Sequence, residues 1–293
     1  MKLSFENKNG KEIFNIHRWR IFNILSLDVV TGSIAGGIMA TTILNVKPGF
    51  AWWIVLPLSV WIVYTLDHLI DGMRLKKNAH TVRHLFHFHY SKPILTAIIL
   101  FTLTDLFFIV FFLDKSILFF GIYAGAITLI YLAIVYFSGK RKILLLQKEL
   151  FVALIYTIGI WGGPVALRSY VLNSGEILLT SMFFLVVWIA ILILSIYEVD
   201  SDRIDKHNTV AVNFGTKKTS FLIFFLSAIL FLTGIIEIIS TSNIRLAMAF
   251  KILLIMDMIL LLILSFPEKL KRENIYRTLV EMVFWLPGLF FYL

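Results

Sequence analysis

Long apolar runs separated by short polar stretches make up most of the chain. Nine of these runs are of roughly the length that a membrane-spanning helix needs, about 20 residues, although the second and the last are short. The predicted spans are residues 21–44, 51–66, 93–113, 116–137, 150–167, 177–197, 221–239, 246–266 and 278–292. The pattern therefore predicts an all-α integral membrane protein with about nine transmembrane helices around a central cavity.

Composition supports this interpretation and excludes other classes. The chain is 59% hydrophobic and 15% charged, with a mean hydropathy of +0.88, values that are typical of membrane proteins rather than soluble domains. It contains no cysteine, so disulfides and thiol catalysis are excluded. No stretch resembles a linker, and we expect residues 1–293 to form a single transmembrane domain.

The distribution of basic residues predicts the orientation. If the N-terminus and every second loop lie on one side, that side carries 22 of the 27 Lys and Arg residues. Since basic residues concentrate in cytoplasmic loops, we expect a multi-pass protein whose N-terminus is cytoplasmic and whose C-terminus is outside. The net charge of +9 is then mainly a topology signal, and we expect no nucleic acid partner.

Two acidic pairs follow apolar runs on the predicted cytoplasmic side, in the loops after helices 2 and 6. Asp67 and Asp71 follow the second run, and Glu198 and Asp202 follow the sixth. Residues four apart share one face of a helix, and two carboxylates at that spacing can hold a hard divalent cation. The two pairs together predict a site for a metal-bound diphosphate.

The second acidic segment carries a resemblance to a known family. Residues 198–215 read Glu-Val-Asp-Ser-Asp-Arg-Ile-Asp-Lys-His-Asn-Thr-Val-Ala-Val-Asn-Phe-Gly. This resembles, without a gap, the motif Asp-x-Glu-x-Asp-Arg-x-x-Gly-x-x-Thr-Leu-Ala-x-x-x-Gly of the UbiA superfamily of intramembrane prenyltransferases. Residues 136–141 also look like the Tyr-plus-basic end of that family's fourth helix. The first acidic segment departs from the family pattern, because His68 and Leu75 stand where two further acids are usual.

The resemblance implies an enzyme that transfers a prenyl group from an allylic prenyl diphosphate to an aromatic or lipophilic acceptor within the lipid bilayer. Mg²⁺ would be the cofactor, acting as a Lewis acid on the leaving diphosphate. The predicted catalytic and metal-binding residues are Asp67, Asp71, Glu198 and Asp202. The predicted diphosphate contacts are Arg74, Arg83, Lys140, Arg141 and Arg203, and the remaining partners would be membrane lipids.

Three other interpretations stay open. Acidic residues within the apolar runs (Asp28, Asp105, Glu237, Asp257 and Glu281) would suit a proton-coupled small-molecule transporter, since buried charges in a bilayer are usually functional. A catalytically degenerate member of the family would also explain the altered first segment. The histidines at 80, 84 and 87 have helical spacing and suggest a di-iron oxygenase, but that class usually has several such clusters.

Overall fold

The computed structural model describes residues 2–6, 12–137, 145–273 and 275–292. Two short antiparallel strands, β1 (Lys2–Glu6) and β2 (Glu12–His17), precede the helices. The helices are α1 (Arg18–Ile24), α2 (Leu27–Ile43), α3 (Trp52–Leu75), α4 (Val82–His89), α5 (Ser91–Phe112), α6 (Lys115–Phe137), α7 (Leu145–Ala166), α8 (Ser174–Tyr197), α9 (Val199–Ile204), α10 (Val210–Phe214), α11 (Thr216–Ser240), α12 (Ile244–Ser265), α13 (Pro267–Glu273) and α14 (Tyr276–Val283). Short 3-10 turns span Lys76–Asn78 and Leu286–Tyr292.

Six helical segments in the described part of the chain are long and apolar enough to cross a membrane. They are Trp52–Asn78, Ser91–Phe112, Lys148–Ala166, Ser174–Tyr197, Thr216–Ser240 and Ile244–Ser265. Two more apolar stretches, Leu27–Ile43 and Lys115–Ile130, are shorter than a full span. The fold is therefore that of a helical membrane protein, while a total of nine crossings stays a prediction.

The first and last predicted spans are interrupted. Ser26 adopts a left-handed backbone conformation with φ 57°, which separates α1 from α2 because a residue in that conformation cannot continue a right-handed helix. The last span consists of α14 followed by the 3-10 turn Leu286–Tyr292. Pro287 lies in that turn and has no amide hydrogen to donate to a helix.

α8 lies at the centre of the helix bundle and packs against α7, α11 and α12. Most of its apolar side chains are buried, and Phe183 joins Trp161 of α7 and Phe250 of α12 in the main hydrophobic cluster. By contrast, α5 and the described part of α6 carry large apolar side chains that protein does not cover, such as Phe111 at 69% and Leu129 at 68% exposed. An apolar surface of that kind suits contact with lipid.

α3 is longer than the sequence indicated. The second run was expected to end at residue 66, with Asp67 and Asp71 opening a loop, but the helix continues to Leu75. The two acids therefore lie on the last turns of a regular helix. Gly72 lies between them and the helix end, and α4 packs against it so closely that a Cβ at this position would stand 2.7 Å from the carbonyl oxygen of His84. The absence of a side chain at Gly72 thus allows α4 to lie against the acidic end of α3.

Candidate functional site

The first acidic pair lies on the last turns of α3, and its two members differ in exposure. The side chain of Asp67 is 52% accessible. Asp71, one turn further along α3, is only 14% accessible and forms an ion pair of 3.0 Å with Arg74. The end of α3 therefore presents one open carboxylate and one that already has a cationic partner.

The second acidic pair lies at the junction between α8 and α9. The amide of Asp202 donates to the carbonyl of Glu198 over 2.8 Å, so the helical path is kept and the two side chains lie one turn apart. Burial, together with the negative charge of Glu198, raises the pKa of Asp202 to about 7. Two carboxylates that lie one turn apart and repel each other form a place where a cation would bind favourably.

The two acidic segments meet at the same end of the bundle, although some 130 residues separate them. Asp71 Oδ2 lies 4.0 Å from Nδ1 of His207, and Arg74 Nη2 lies 3.3 Å from the same nitrogen. Nδ1 of His80, ahead of α4, lies 2.6 Å from Asp205 Oδ1. These contacts join the turn before α4 and the end of α3 to the turn after α9.

Three further residues reach this end of the bundle, and the sequence analysis did not single them out. The positive charge of Lys148, at the start of α7, acts on Asp67, Asp202 and His207. Arg277 lies 3.5 Å from Glu198 Oε1, and the hydroxyl of Tyr276 donates to the same oxygen over 3.1 Å. Their signal in the sequence was weak, because an isolated Lys or a Tyr-Arg pair near a helix end usually marks topology.

The basic residues predicted to contact diphosphate have different surroundings. Arg74 bridges Asp71 and His207 at the site itself. Arg83 is buried and donates to Nε2 of His68 and to the carbonyl of Asn23, and its burial lowers its pKa to about 10. Arg203 is exposed on α9. Lys140 and Arg141 lie outside the described residues.

Two histidines and an aspartate form a cluster next to the first acidic pair. His84, Asp205 and His207 each offer a ligand atom, and these three atoms lie within 4.8 Å of one another. Within the described parts of the chain, no other group of three or more His and acidic residues is this close. Burial lowers the pKa of His84 to about 4 and also lowers the pKa of His207, so both rings are neutral at neutral pH.

Acidic residues within the spans have local partners. Asp28 accepts from the side chain of Asn23 and from the amide of Val29. Asp105 accepts from the hydroxyl of Ser59 over 2.8 Å, and Asp257 accepts from Ser227 over 2.9 Å. A hydroxyl partner on an adjacent helix is sufficient reason for a polar residue in a bilayer, since an unpaired polar group there is costly. The hydrogen bonds of Asp105 and Asp257 fit a role in helix packing.

Comparison with other proteins adds no assignment. The resemblance to the UbiA superfamily depends on the residues quoted above, chiefly those at 198–215. The function therefore has to be argued from the geometry of the site. Searches against known protein families, characterised proteins and solved structures found no match for this chain.

Proposed function

We propose that the protein is an intramembrane prenyltransferase, which uses Mg²⁺ to ionise an allylic prenyl diphosphate and transfers the prenyl group to a lipophilic acceptor. The observation that carries the proposal is the meeting of two acidic pairs, from α3 and from the α8–α9 junction, at one end of a membrane bundle. Each pair offers oxygen ligands, which Mg²⁺ prefers.

The residues present fit the metal. Asp67 is about half accessible, and Asp202 lies one helical turn from a second acid, Glu198. Among the described residues, the side-chain contacts of Glu198 with Tyr276 and Arg277 both fall on Oε1, and Oε2 would serve the cation. Asp67 with Asp71 would hold one Mg²⁺, and Glu198 with Asp202 would hold another. When bound, the ions would neutralise the diphosphate and make it a better leaving group.

Cationic side chains complete the diphosphate end of the site. Arg74 is fixed by Asp71, and Lys148 lies close enough to act on both acidic pairs. Charge-assisted hydrogen bonds from such groups to phosphate oxygens are among the stronger contacts in proteins. As the carbon–oxygen bond to the diphosphate breaks, these side chains would hold the negative charge that the leaving group carries away.

A row of aromatic rings leads from the acids into the apolar interior. Tyr64 lies one turn before Asp67 on α3, and its ring centroid is 6.5 Å from that of Tyr156. Tyr156 is followed by Phe284 at 6.0 Å and by Phe183 at a further 6.4 Å. We propose that the prenyl tail enters beside Tyr64, which is partly exposed, while the rings beyond it are buried. Aromatic faces attract cations, so the rings would also stabilise the allylic cation until the acceptor forms the new bond to carbon.

The proposal includes the topology. Nine crossings, with the N-terminus and both acidic segments on the cytoplasmic side, would give the site access to soluble prenyl diphosphates and Mg²⁺ on that side. The acceptor would enter from the lipid bilayer. Support comes from the basic residues, which concentrate on the predicted cytoplasmic side, and from the position of both acidic pairs at one end of the bundle.

The test is thermal stabilisation of the purified protein by geranyl, farnesyl and geranylgeranyl diphosphates, with and without Mg²⁺. A ligand at one hundred times its Kd stabilises the folded state by about 2.7 kcal/mol. We expect a Mg²⁺-dependent rise in melting temperature that Asp71→Asn and Asp202→Asn abolish. Asp200→Asn is the matched control, because Asp200 lies in the same segment but pairs with exposed Lys271. Stabilisation that is independent of Mg²⁺, or none by any diphosphate, would overturn the proposal.

A proton-coupled transporter is the second candidate. It is favoured by the charges of Asp28 and Glu281, which act on each other and on Arg83 and Arg277 within the bundle. Protonation of such a cluster could drive a conformational change. Reconstituted protein would then carry protons in a way that Asp28→Asn abolishes and that the omission of Mg²⁺ does not change.

A further inference from the structure

We propose that His84, Asp205 and His207 form a binding site for a divalent transition-metal ion such as Zn²⁺, separate from the carboxylate pairs assigned to Mg²⁺. The three ligand atoms lie within 4.8 Å of one another, and they come from two segments that are far apart in the sequence. The inference depends on these residues alone and not on the proposed prenyltransferase activity.

The backbone places two of the ligands on the same side of one turn. α9 ends at Ile204, Asp205 is its C-cap, and Lys206 adopts a left-handed conformation with φ 57°. The amide of His207 then donates to the carbonyl of Asp202 over 2.8 Å, which closes the turn. Left-handed conformations are unfavourable for a residue such as Lys, and strain of this kind is often found at functional sites. The turn brings His207 back beside Asp205.

His84 approaches this turn from α4 with an unused ring nitrogen. Its Nδ1 is buried and has no hydrogen-bond partner among the described residues. Buried polar atoms normally have a partner, so an exception requires an explanation such as an absent ion. The ring centroid of His84 is 5.7 Å from that of His207, and the two rings are tilted by only 32°.

Both ring nitrogens of His207 have Arg74 as a neighbour. Arg74 Nη2 lies 3.3 Å from Nδ1 and 3.4 Å from Nε2. One guanidinium nitrogen thus contacts both ring nitrogens, and a metal bound through the lone pair of either nitrogen would replace that contact. The positive charge of Arg74 is offset by Asp71, 3.0 Å away.

Asp205 has the surroundings of a ligating carboxylate. Its side chain is only 2% accessible. Nδ1 of His80 is 2.6 Å from Oδ1, and the amide of His80 donates to Oδ2 over 3.3 Å. Carboxylate ligands are commonly held in this way by hydrogen bonds from residues that do not touch the metal.

The donor set selects the class of metal. Two imidazoles and one carboxylate suit Zn²⁺ and related ions, whereas Mg²⁺ prefers oxygen ligands. Three protein ligands leave a further coordination position for water or a substrate oxygen, as in open zinc sites. Since Asp71 lies 4.0 Å from His207, that position would adjoin the first acidic pair.

The experiment is a titration of Co²⁺ into the full chain, purified in detergent without a polyhistidine tag and stripped of metal. Millimolar Mg²⁺ is present throughout to fill the carboxylate pairs. We expect one equivalent of Co²⁺ to bind with a visible absorption band of tetrahedral type, which Zn²⁺ displaces. This result does not require any variant to fold. Absence of the band in folded wild-type protein would overturn the proposal.

Substitution of the individual ligands tests where the Co²⁺ ion binds. His84→Asn and Asp205→Asn should lose the band, and His80→Asn should weaken binding about 10- to 100-fold, as loss of an outer partner usually does. His89→Asn is the matched control, because His89 is exposed on the same short helix. A band of wild-type affinity in folded His84→Asn protein would contradict the assignment.

One further variant separates the two proposals. Asp202→Asn removes a ligand assigned to Mg²⁺ and should abolish Mg²⁺-dependent diphosphate binding while the Co²⁺ band persists. If the same substitution also removes the band, the two sites are not separate and the inference fails. If the band persists but wild-type protein binds no diphosphate, the transition-metal site stands and the prenyltransferase proposal fails.

Discussion

The two ends of α8 carry the same residue type in opposite circumstances. At the N-terminal end, Glu176 forms a two-pronged ion pair with Arg168, with distances of 2.5 and 2.7 Å, and both side chains are almost fully buried. It also completes a capping box with Asn173. Just beyond the C-terminal end, Glu198 contacts Arg277 and Tyr276. It also lies one turn from another acid, Asp202. An acid whose charge is paired with a buried cation stabilises the fold, as Glu176 does. An acid that lies one turn from a second acid, as Glu198 does, is suited to bind a cation.

The largest expected effect comes from removing one partner of the Arg168–Glu176 ion pair. Arg168→Ala leaves Glu176 buried without its cation, and loss of one partner of a buried pair costs about 3–5 kcal/mol. We expect the free energy of unfolding in detergent to fall by that amount. Arg168→Ala combined with Glu176→Gln should recover part of the loss, because the unpaired charge is then gone. An unchanged melting temperature in the single variant would contradict the structural role of the pair.

The next effect tests the packing that brings α4 to the acids. Gly72→Ala would place a methyl group 2.7 Å from the carbonyl oxygen of His84, and overpacking of this kind costs about 1–3 kcal/mol. We expect thermal unfolding at a lower temperature and weaker Co²⁺ binding, since α4 must shift. Gly121→Ala is the matched control, because nothing lies within 4 Å of its Cβ position. Equal melting temperatures for the two variants would exclude the close contact.

A smaller effect is a change in the pH dependence of stability. The pKa of Asp202 is raised from 3.8 to about 7 in the folded protein, so between those values the folded state binds more protons than the unfolded state. Stability should therefore fall as pH rises from about 4 to about 7. Asp202→Asn should remove this contribution, and Mg²⁺ should reduce it if the ion binds the carboxylate. Melting temperatures measured across this range in both proteins check it, and parallel curves would count against the raised pKa.

The smallest expected effect concerns Asp200, whose ion-pair partner Lys271 is exposed to solvent. Asp200 pairs with Lys271 over 2.5 Å, and both side chains are largely exposed. Lys271 also lowers the pKa of Asp200. Exposed pairs contribute about 0–1 kcal/mol, so Lys271→Ala should hardly change the unfolding free energy or the binding of diphosphate. If Lys271→Ala lowered the free energy of unfolding as much as Arg168→Ala, solvent exposure would not determine how much these ion pairs stabilise the protein.

The length of the apolar runs was sufficient to identify six helices of membrane-spanning length, but not the ends of those helices. Six of the predicted spans coincide with helices that are long and apolar enough to cross a membrane. The continuation of α3 to Leu75 was missed because polar residues on the last turns of a helix look like the beginning of a loop. The break at Ser26 was missed because a left-handed serine has no sequence signal comparable to that of proline.

Proximity in sequence showed part of the site. The spacing of Glu198 and Asp202 correctly indicated neighbours on one turn, as their hydrogen bond shows. The meeting of His84 with His207 depends on how α4 packs on α3 and on a left-handed Lys206. Such tertiary contacts leave no periodic pattern. The same reason explains why Lys148 and Arg277, which approach from α7 and α14, were not singled out.

The turn at Ser26 contains a carbonyl, that of Asn23, which contacts a segment made much later. α1 leaves the ribosome early, yet the carbonyl of Asn23 accepts its hydrogen bond from Arg83, a residue that is made 60 positions later. The same carbonyl also accepts from the amide of Ser26 over 3.1 Å, so only its contact with Arg83 depends on α4. We therefore expect α1 to reach its final position only after α4 has been made, and a substitution at Asn23 to disturb the position of Arg83.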